Sequence, residues 1–229
     1  MLQDSYNQMP EGKITLGNVV RNEWVAGNRD LMTVFDGSYL ERWDLRNRST
    51  NQTQADAMAV SIQLMREALA KGKIINMATH PSHNFLEEPG TDIYGETITA
   101  DPPSDPDELL QYMKDNIHFP LAVFLIAAEE GAYFSYNLGV NAHPNSDDYW
   151  DTGFIDELNY YVGPPLGDPV RNGYLYTRSY ENVNVSVNLE TKETVLDWID
   201  KTRTGPTTNP TPNPTPCLLY TSPSPRDRG

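Results

Sequence analysis

A helix joined by short connections to a β-prone run on each side is the feature that most restricts this chain. Residues 54–71 place Met58, Ile62, Met65 and Leu69 at the 3.6-residue period, with Ala55, Ala59 and Ala68 beside them, so one stripe is built to be buried. Thr53 stands where an N-cap belongs with Asp56 in the box position, and Gly72 supplies a left-handed stop. Upstream, across a polar loop, lies LMTVFDGSYLERWD; directly after Gly72 comes KIINMATHP, which has the character of a buried strand. Strand, helix and strand connected this closely imply a right-handed parallel βαβ unit.

The order then repeats. Residues 105–117 carry Leu109, Leu110 and Met113 at helical spacing, and LAVFLIAAEEG after Pro120 is too uniformly apolar for a surface helix. AYFSYN is a third strand candidate. YLYTRSYENVNVSVNLETKETVLDW alternates apolar and polar residues on both sides of residues 189–193, which predicts an antiparallel hairpin packed as a terminal appendage. The opening MLQDSYNQMPEGKITLGN shows neither a cap nor a clear period. The expected organisation is a partial domain over residues 1–201, open at both ends and cut from a longer gene, followed by a linker.

That linker, TRTGPTTNPTPNPTP at residues 202–216, alternates Pro with small polar residues and has nothing apolar to bury, so it is an extended, solvated spacer. Spacers of this kind join secreted catalytic domains to binding or anchoring modules. A further module beyond it, and a secreted or cell-surface location, are therefore expected. The eleven residues CLLYTSPSPRD that follow, back-translated, resemble the end of a transposase-type sequencing adapter. Residues 217–229 are accordingly expected to be an adapter-derived artefact and are set aside.

Outside that tail there is no cysteine, which removes disulfides, thiol catalysis and Cys-ligated zinc. A net charge of −15 repels phosphate backbones and anionic lipid, so neither nucleic acid nor a membrane surface is expected as a partner. A neutral ligand fits better. No apolar run approaches the roughly 20 residues that span a bilayer, and no segment near Met1 reads as a signal peptide.

Taken together, VFDGSYLERWD, AMAVSIQLMREALAKGKIINMATHP, FLIAAEEGAYFSYN and GPPLGDPVRNGYLYTRSYENVNVSVNLE resemble the C-terminal part of glycoside-hydrolase-like proteins with a (β/α)8 barrel, over residues 31–198. The resemblance implies an α/β fold: the C-terminal part of a (β/α)8 (TIM) barrel with a terminal antiparallel β-hairpin. The three strands read here become the last three of the barrel, with about five preceding them. It also implies a carbohydrate substrate and polysaccharide degradation. A piece holding three strands of eight is expected to be inactive alone, since it cannot close a barrel.

In such barrels the reactive groups sit at the carboxyl ends of the strands. Glu41 is in that place, and alternation sets Tyr39, Glu41 and Trp43 on one face with Ser38, Leu40 and Arg42 on the other. A carboxylate beside aromatics in a barrel mouth suits a general acid for a leaving sugar oxygen; the competing reading is a structural Glu paired with Arg42 or Arg46. Asp36, before Gly37, suits an entry to the strand. Glycoside hydrolysis usually takes two carboxylates, and Glu129, Glu130, Asp147, Asp148 or a residue outside this chain are candidates for the second.

His80 and His83, at i and i+3 after the second strand, have a metal-like spacing but no marked third ligand. Hydrogen bonding to substrate hydroxyls is the functional role expected for them, with no metal and no cofactor; the competing reading is a loop histidine satisfied by its own surroundings. Trp43, Tyr136, Trp150 and the Tyr160–Tyr161 pair are candidate platforms for sugar rings. Asn47, Asn51 and Asn184 begin N-x-S/T sequons, meaningful only in a glycosylating secretory route. Two functions follow from these residues: a glycoside hydrolase with Glu41 as acid/base, or a non-catalytic barrel remnant that holds glycan by its aromatics.

Overall fold

The computed structural model describes residues 10, 12–20, 32–41, 43–44, 51–79, 90–91, 97–98, 105–136 and 155–202. They build a mixed α/β domain with one parallel and one antiparallel sheet. The parallel sheet has the order β1 (Leu16–Gly17), β2 (Gly37–Leu40), β3 (Ile74–Thr79) and β6 (Ala132–Tyr136), and every neighbouring pair is parallel. A two-stranded antiparallel pair, β4 (Gly90–Thr91) and β5 (Thr97–Ile98), lies between β3 and β6 in the chain.

Helix α1 (Gln54–Leu69) connects β2 to β3, as its stripe and caps predict. Thr53 Oγ1 accepts from Asp56 N at 3.1 Å while Asp56 Oδ2 accepts from Thr53 N at 3.0 Å, satisfying two orphan N–H groups reciprocally. At the far end Gly72 adopts φ +71°, and the Gly72 and Lys73 amides return to the carbonyls of Leu69 and Ala68. Met58, Ile62, Met65 and Leu69 are all buried, but so are Ala57, Ser61 and Leu64. The helix is covered on more than one side because α3 packs against it as well as the sheet.

Helices α2 (Pro106–Asn116) and α3 (His118–Ala127) connect β3 to β6. Asp105 caps α2, its Oδ1 accepting from the amides of Asp107 and Glu108, with Pro at the start where its missing N–H costs nothing. Pro120 then prevents one continuous helix: it cannot donate to the preceding turn, yet it is tolerated in the first turn of a new one. α3 is apolar nearly all round, and Leu121, Ala122, Val123, Leu125, Ile126 and Ala127 are buried. A helix apolar on every side needs cover on every side.

The second sheet supplies that cover. Its order is β10 (Thr194–Trp198), β9 (Val183–Asn188), β8 (Leu175–Ser179) and β7 (Val170–Asn172), all antiparallel. The hairpin expected around residues 189–193 is β9–β10, and two further strands widen it into a sheet. Val183, Val185 and Val187 point one way and are buried, with Tyr176 and Tyr180 in the same core cluster. β8, β9 and β10 all pack on α3, so the sheet is an outer layer of the domain core and more than an appendage.

Arg178 on β8 locks these layers together. Its side chain is 1% exposed, and Nη1 donates to the carbonyls of Leu125, Ile126 and Ala128 at the carboxyl end of α3. Nη2 meets Glu129 Oε1 at 2.5 Å, and Nε reaches Gly167 O at 3.2 Å. Glu129 also takes Arg66 Nη1 of α1 at 2.9 Å. The Tyr180 ring lies 5.1 Å from the guanidinium, and its hydroxyl donates to Leu125 O. Burial pushes that phenol up to about 12.

A second tie joins Tyr174 OH to Asp56 Oδ1 at 2.6 Å. This bond, followed by those from Thr53, holds the Asp56 carboxyl below its ordinary value of 3.8. A carboxyl depressed in the folded state contributes stability above its unfolded pKa, and that contribution fades as pH falls through the folded value. Tyr174→Phe should therefore lower stability at pH 7, and by much less near pH 2. Urea midpoints at the two pH values check this; an equal gap at both would show that Asp56 ionisation plays no part.

Gly37 is the most closely packed of the described glycines. A Cβ there would meet Ile74 O at 2.2 Å, Ile74 Cβ at 2.7 Å and Leu16 Cδ2 at 2.7 Å, so it would force apart strands on both sides. Gly37→Ala is expected to lower stability by about 1–3 kcal/mol, read as a fall in the midpoint of thermal unfolding. An unchanged midpoint would mean that β1 and β3 part without cost.

Candidate functional site

Because its strands are parallel, the sheet gathers their carboxyl ends along one edge. Asn18 follows β1, Glu41 follows β2, Thr79 ends β3 and Tyr136 ends β6. The register fixes which side chains share a face. Leu40, Ile75, Met77 and Thr79 are buried beneath the helices, with Phe134 packed 5.1 Å from Phe124 of α3. On the opposite face stand Tyr39, Asn76 and Tyr133, paired across β2, β3 and β6. That face is open: Tyr39 is 38% and Tyr133 60% exposed.

Glu41 is the first residue past the end of β2. Asn18 Nδ2 donates to its Oε2 at 2.7 Å. Ser38 explains why Asn18 is there. Its buried hydroxyl accepts from the amides of Val19 and Val20 at 3.1 and 3.0 Å, clamping the chain that leaves β1 against the end of β2. Two residues that carry no motif thus orient the expected carboxylate.

Trp43 does not share the open face. β2 ends at Leu40, so alternation stops before Trp43, whose indole turns into the core. It is 3% exposed, donates Nε1 to Thr79 Oγ1 at 3.1 Å and lies 6.0 Å from the Phe119 ring. Its ring faces are covered by protein and present no platform to a sugar. Tyr136 also sits on the helix-covered side, stacked on Phe134 with its hydroxyl donating to Met113 O at 2.9 Å. Burial drives its phenol pKa well above the ordinary value, so it is a neutral tie between β6 and α2.

The candidates for the second carboxylate separate. Glu129 and Glu130 precede β6 and so lie at the amino edge, opposite Glu41, and Glu129 is bound to Arg178 and Arg66. Ion pairing in the domain core, and not acid/base work beside Glu41, is what this position provides. Asp36 likewise serves the strand entry: its Oδ2 accepts from Thr15 N at 2.8 Å and Thr15 Oγ1 at 2.9 Å. His80, His83, Trp150, Asp147 and Asp148 lie outside the described residues, as do Arg42 and Arg46. Tyr160 packs edge-on to Trp198 at 5.0 Å, and Tyr161 donates to Glu181 Oε2 at 3.4 Å, both with the antiparallel sheet.

Among the described residues, no three His, Cys, Asp or Glu side chains converge as a metal site, and no helix is long and apolar enough to cross a membrane. The geometry therefore offers one oriented carboxylate at the carboxyl edge of a parallel sheet, beside an open face of tyrosine, amide and hydroxyl groups. A family model described as hypothetical glycosyl hydrolase family 15 matches residues 1–184, which takes in all four parallel strands and, of the antiparallel sheet, β7, β8 and the start of β9. No curated protein matches the chain.

Proposed function

Because the chain belongs to the hypothetical glycosyl hydrolase family 15, we propose that it is part of a glycoside hydrolase that cleaves a neutral polysaccharide, with Glu41 as the general acid/base. The observation that carries this reading is the position of Glu41: just past the carboxyl end of a parallel strand, with Asn18 donating to one carboxylate oxygen. We further infer a (β/α)8 barrel. Its consecutive strands must be neighbours in order, whereas a doubly wound sheet reverses order at a switch point. The four described parallel strands run in order without reversal.

On this reading the open face is the barrel interior. The acid donates its proton to the glycosidic oxygen as the bond to the sugar carbon breaks, and a second carboxylate assists attack by water or forms the glycosyl intermediate. That partner is proposed to lie outside the described residues. The Thr/Pro spacer at residues 202–216 supports a secreted or surface location for an enzyme of polymeric substrates, with a further module beyond it.

The exposed tyrosines beside Glu41 also favour a second reading, a carbohydrate-binding protein without turnover. Glu41→Gln in the full-length protein separates the two. Loss of hydrolysis with retained glycan binding supports the enzyme; glycan binding with no hydrolysis by the unaltered protein supports the binder.

A further inference from the structure

We propose that Asn172 and Gly173, at the tip of the β7–β8 hairpin, form a site of spontaneous deamidation whose product loosens the hold of the antiparallel sheet on α1. The modification does not depend on the role of Glu41, and it takes only water as co-reactant. The dipeptide Asn-Gly occurs once in the chain, and asparagine is among the thermolabile residues. It falls at a two-residue hairpin loop: Asn172 pairs with Leu175, and Gly173 and Tyr174 lie between them. Gly173 adopts φ +61°, as the first loop residue of such a hairpin must, so glycine stands there for the turn.

The reaction is a ring closure. The Gly173 amide nitrogen attacks Cγ of Asn172; the N–Cγ bond forms, the Cγ–Nδ2 bond breaks, and the amide proton leaves with Nδ2 as ammonia. Water then opens the five-membered imide. Cleavage of its bond to Cγ leaves aspartate in an ordinary chain. Cleavage of its bond to the backbone carbonyl leaves isoaspartate, with the chain running through Cγ and one methylene longer. Either way one water is consumed, one ammonia is lost and one negative charge is gained; nothing is oxidised or reduced.

Three observations favour this site. Both reacting groups are uncommitted: among the described residues neither the Asn172 side chain nor the Gly173 amide makes a hydrogen bond. The space around them is open, since all three residues of β7 are exposed and a Cβ built on Gly173 would meet nothing within 4 Å. The hairpin is also cheap to open. Folded, it holds Asn172 extended, whereas ring closure needs the backbone rotated, and β7 is a three-residue edge strand joined among the described residues only to β8. Asn184 supplies the contrast. It is exposed on the same sheet, but Ser179 Oγ donates to its Oδ1 at 2.8 Å and the β-branched Val185 follows it.

The consequence passes through Tyr174. Its hydroxyl donates at 2.6 Å to Asp56, the carboxylate of the α1 capping box, and its carbonyl accepts from Leu189 N at 3.0 Å. A methylene added to the backbone at residue 172 alters the loop length that sets the register of this hairpin, so Tyr174 is drawn away from Asp56.

The test ages the full-length protein in warm, mildly alkaline buffer and follows it by peptide mass mapping against an unaged control, with isoaspartyl methyltransferase labelling. Asn172 is expected to convert about tenfold or more faster than Asn184, and the urea midpoint of the aged protein at pH 7 to fall. Asn172→Gln should abolish both changes, because its closure would need a larger, more slowly formed ring; the position is exposed, so the variant folds. In Tyr174→Phe, which lacks the tie from the start, conversion should persist while ageing moves the midpoint less than in the unaltered protein. Conversion of Asn172 no faster than that of Asn184 overturns the site. Conversion that leaves the midpoint unchanged, or that lowers it equally in Tyr174→Phe, overturns the loosening of α1.

Discussion

Replacing Arg178 with Met should lower the free energy of unfolding by about 3–5 kcal/mol. The substitution keeps much of the apolar stem and removes the guanidinium, leaving the carbonyls of Ile126 and Ala128 without this donor and that of Leu125 with the Tyr180 hydroxyl in its place. These are the orphan acceptors at the end of α3, and the antiparallel sheet covers them. Each buried acceptor left unmatched costs about 1–3 kcal/mol, partly recovered by relaxation. Glu129 would keep Arg66 but lose its buried partner.

Arg178→Lys should recover little, since an ammonium is a point charge and cannot fork to acceptors spread along a helix end. Arg66→Ala should cost less than about 1 kcal/mol, because its side chain is 27% exposed and its second partner, Asp168, is 87% exposed. Urea denaturation measures all three. Midpoints for Arg178→Met and Arg66→Ala that coincide would show that the buried arginine is not what joins the antiparallel sheet to α3.

The contrast between α1 and Arg178 marks what the sequence made legible. The start, stop and buried stripe of α1 depend on residues three or four positions apart, so Thr53, Asp56, Met58, Ile62 and Gly72 announce them locally. The apolar run of α3 likewise announces burial on all sides. Arg178 binds groups about 50 positions away, and nothing near it in the chain foretells its burial. β1 escaped for a similar reason: it has two residues, and its pairing with β2 spans 21 positions.

The site was partly legible on the same terms. Placing Glu41 at the end of a strand needed only the β-prone run before it and the parallel order of the sheet. Trp43 misled because alternation holds only while the strand lasts, and β2 ends at Leu40. Glu129 misled because a glutamate near a strand carries no sign of which edge it serves, or that an arginine 49 positions on will bind it. Asn18 and Ser38 were passed over because their contacts arise from cross-strand neighbours, and register is set by the whole sheet.

If Glu41 is the acid that protonates the leaving oxygen, Glu41→Gln should reduce kcat/KM on a polysaccharide about 10²–10⁴-fold, and the loss should depend on the leaving group. An amide of the same shape keeps its place beside Asn18 but has no proton of suitable acidity to give. A sugar hydroxyl departs poorly as an alkoxide, so its loss without protonation raises the barrier by about 2.7–5.5 kcal/mol at that fold-change. A dinitrophenolate departs unaided. On a 2,4-dinitrophenyl glycoside of the same sugar, the expected loss for the same variant is therefore about tenfold or less. Equal, large losses on both substrates would move Glu41 from the acid to the base or nucleophile, whose work does not depend on the leaving group. Undiminished hydrolysis of the polysaccharide would remove it from the chemistry altogether. Gln is the right replacement for this comparison because Ala would also empty the space that Asn18 Nδ2 spans to Oε2 at 2.7 Å, and a collapse of the strand end would lower both rates for reasons unrelated to the proton.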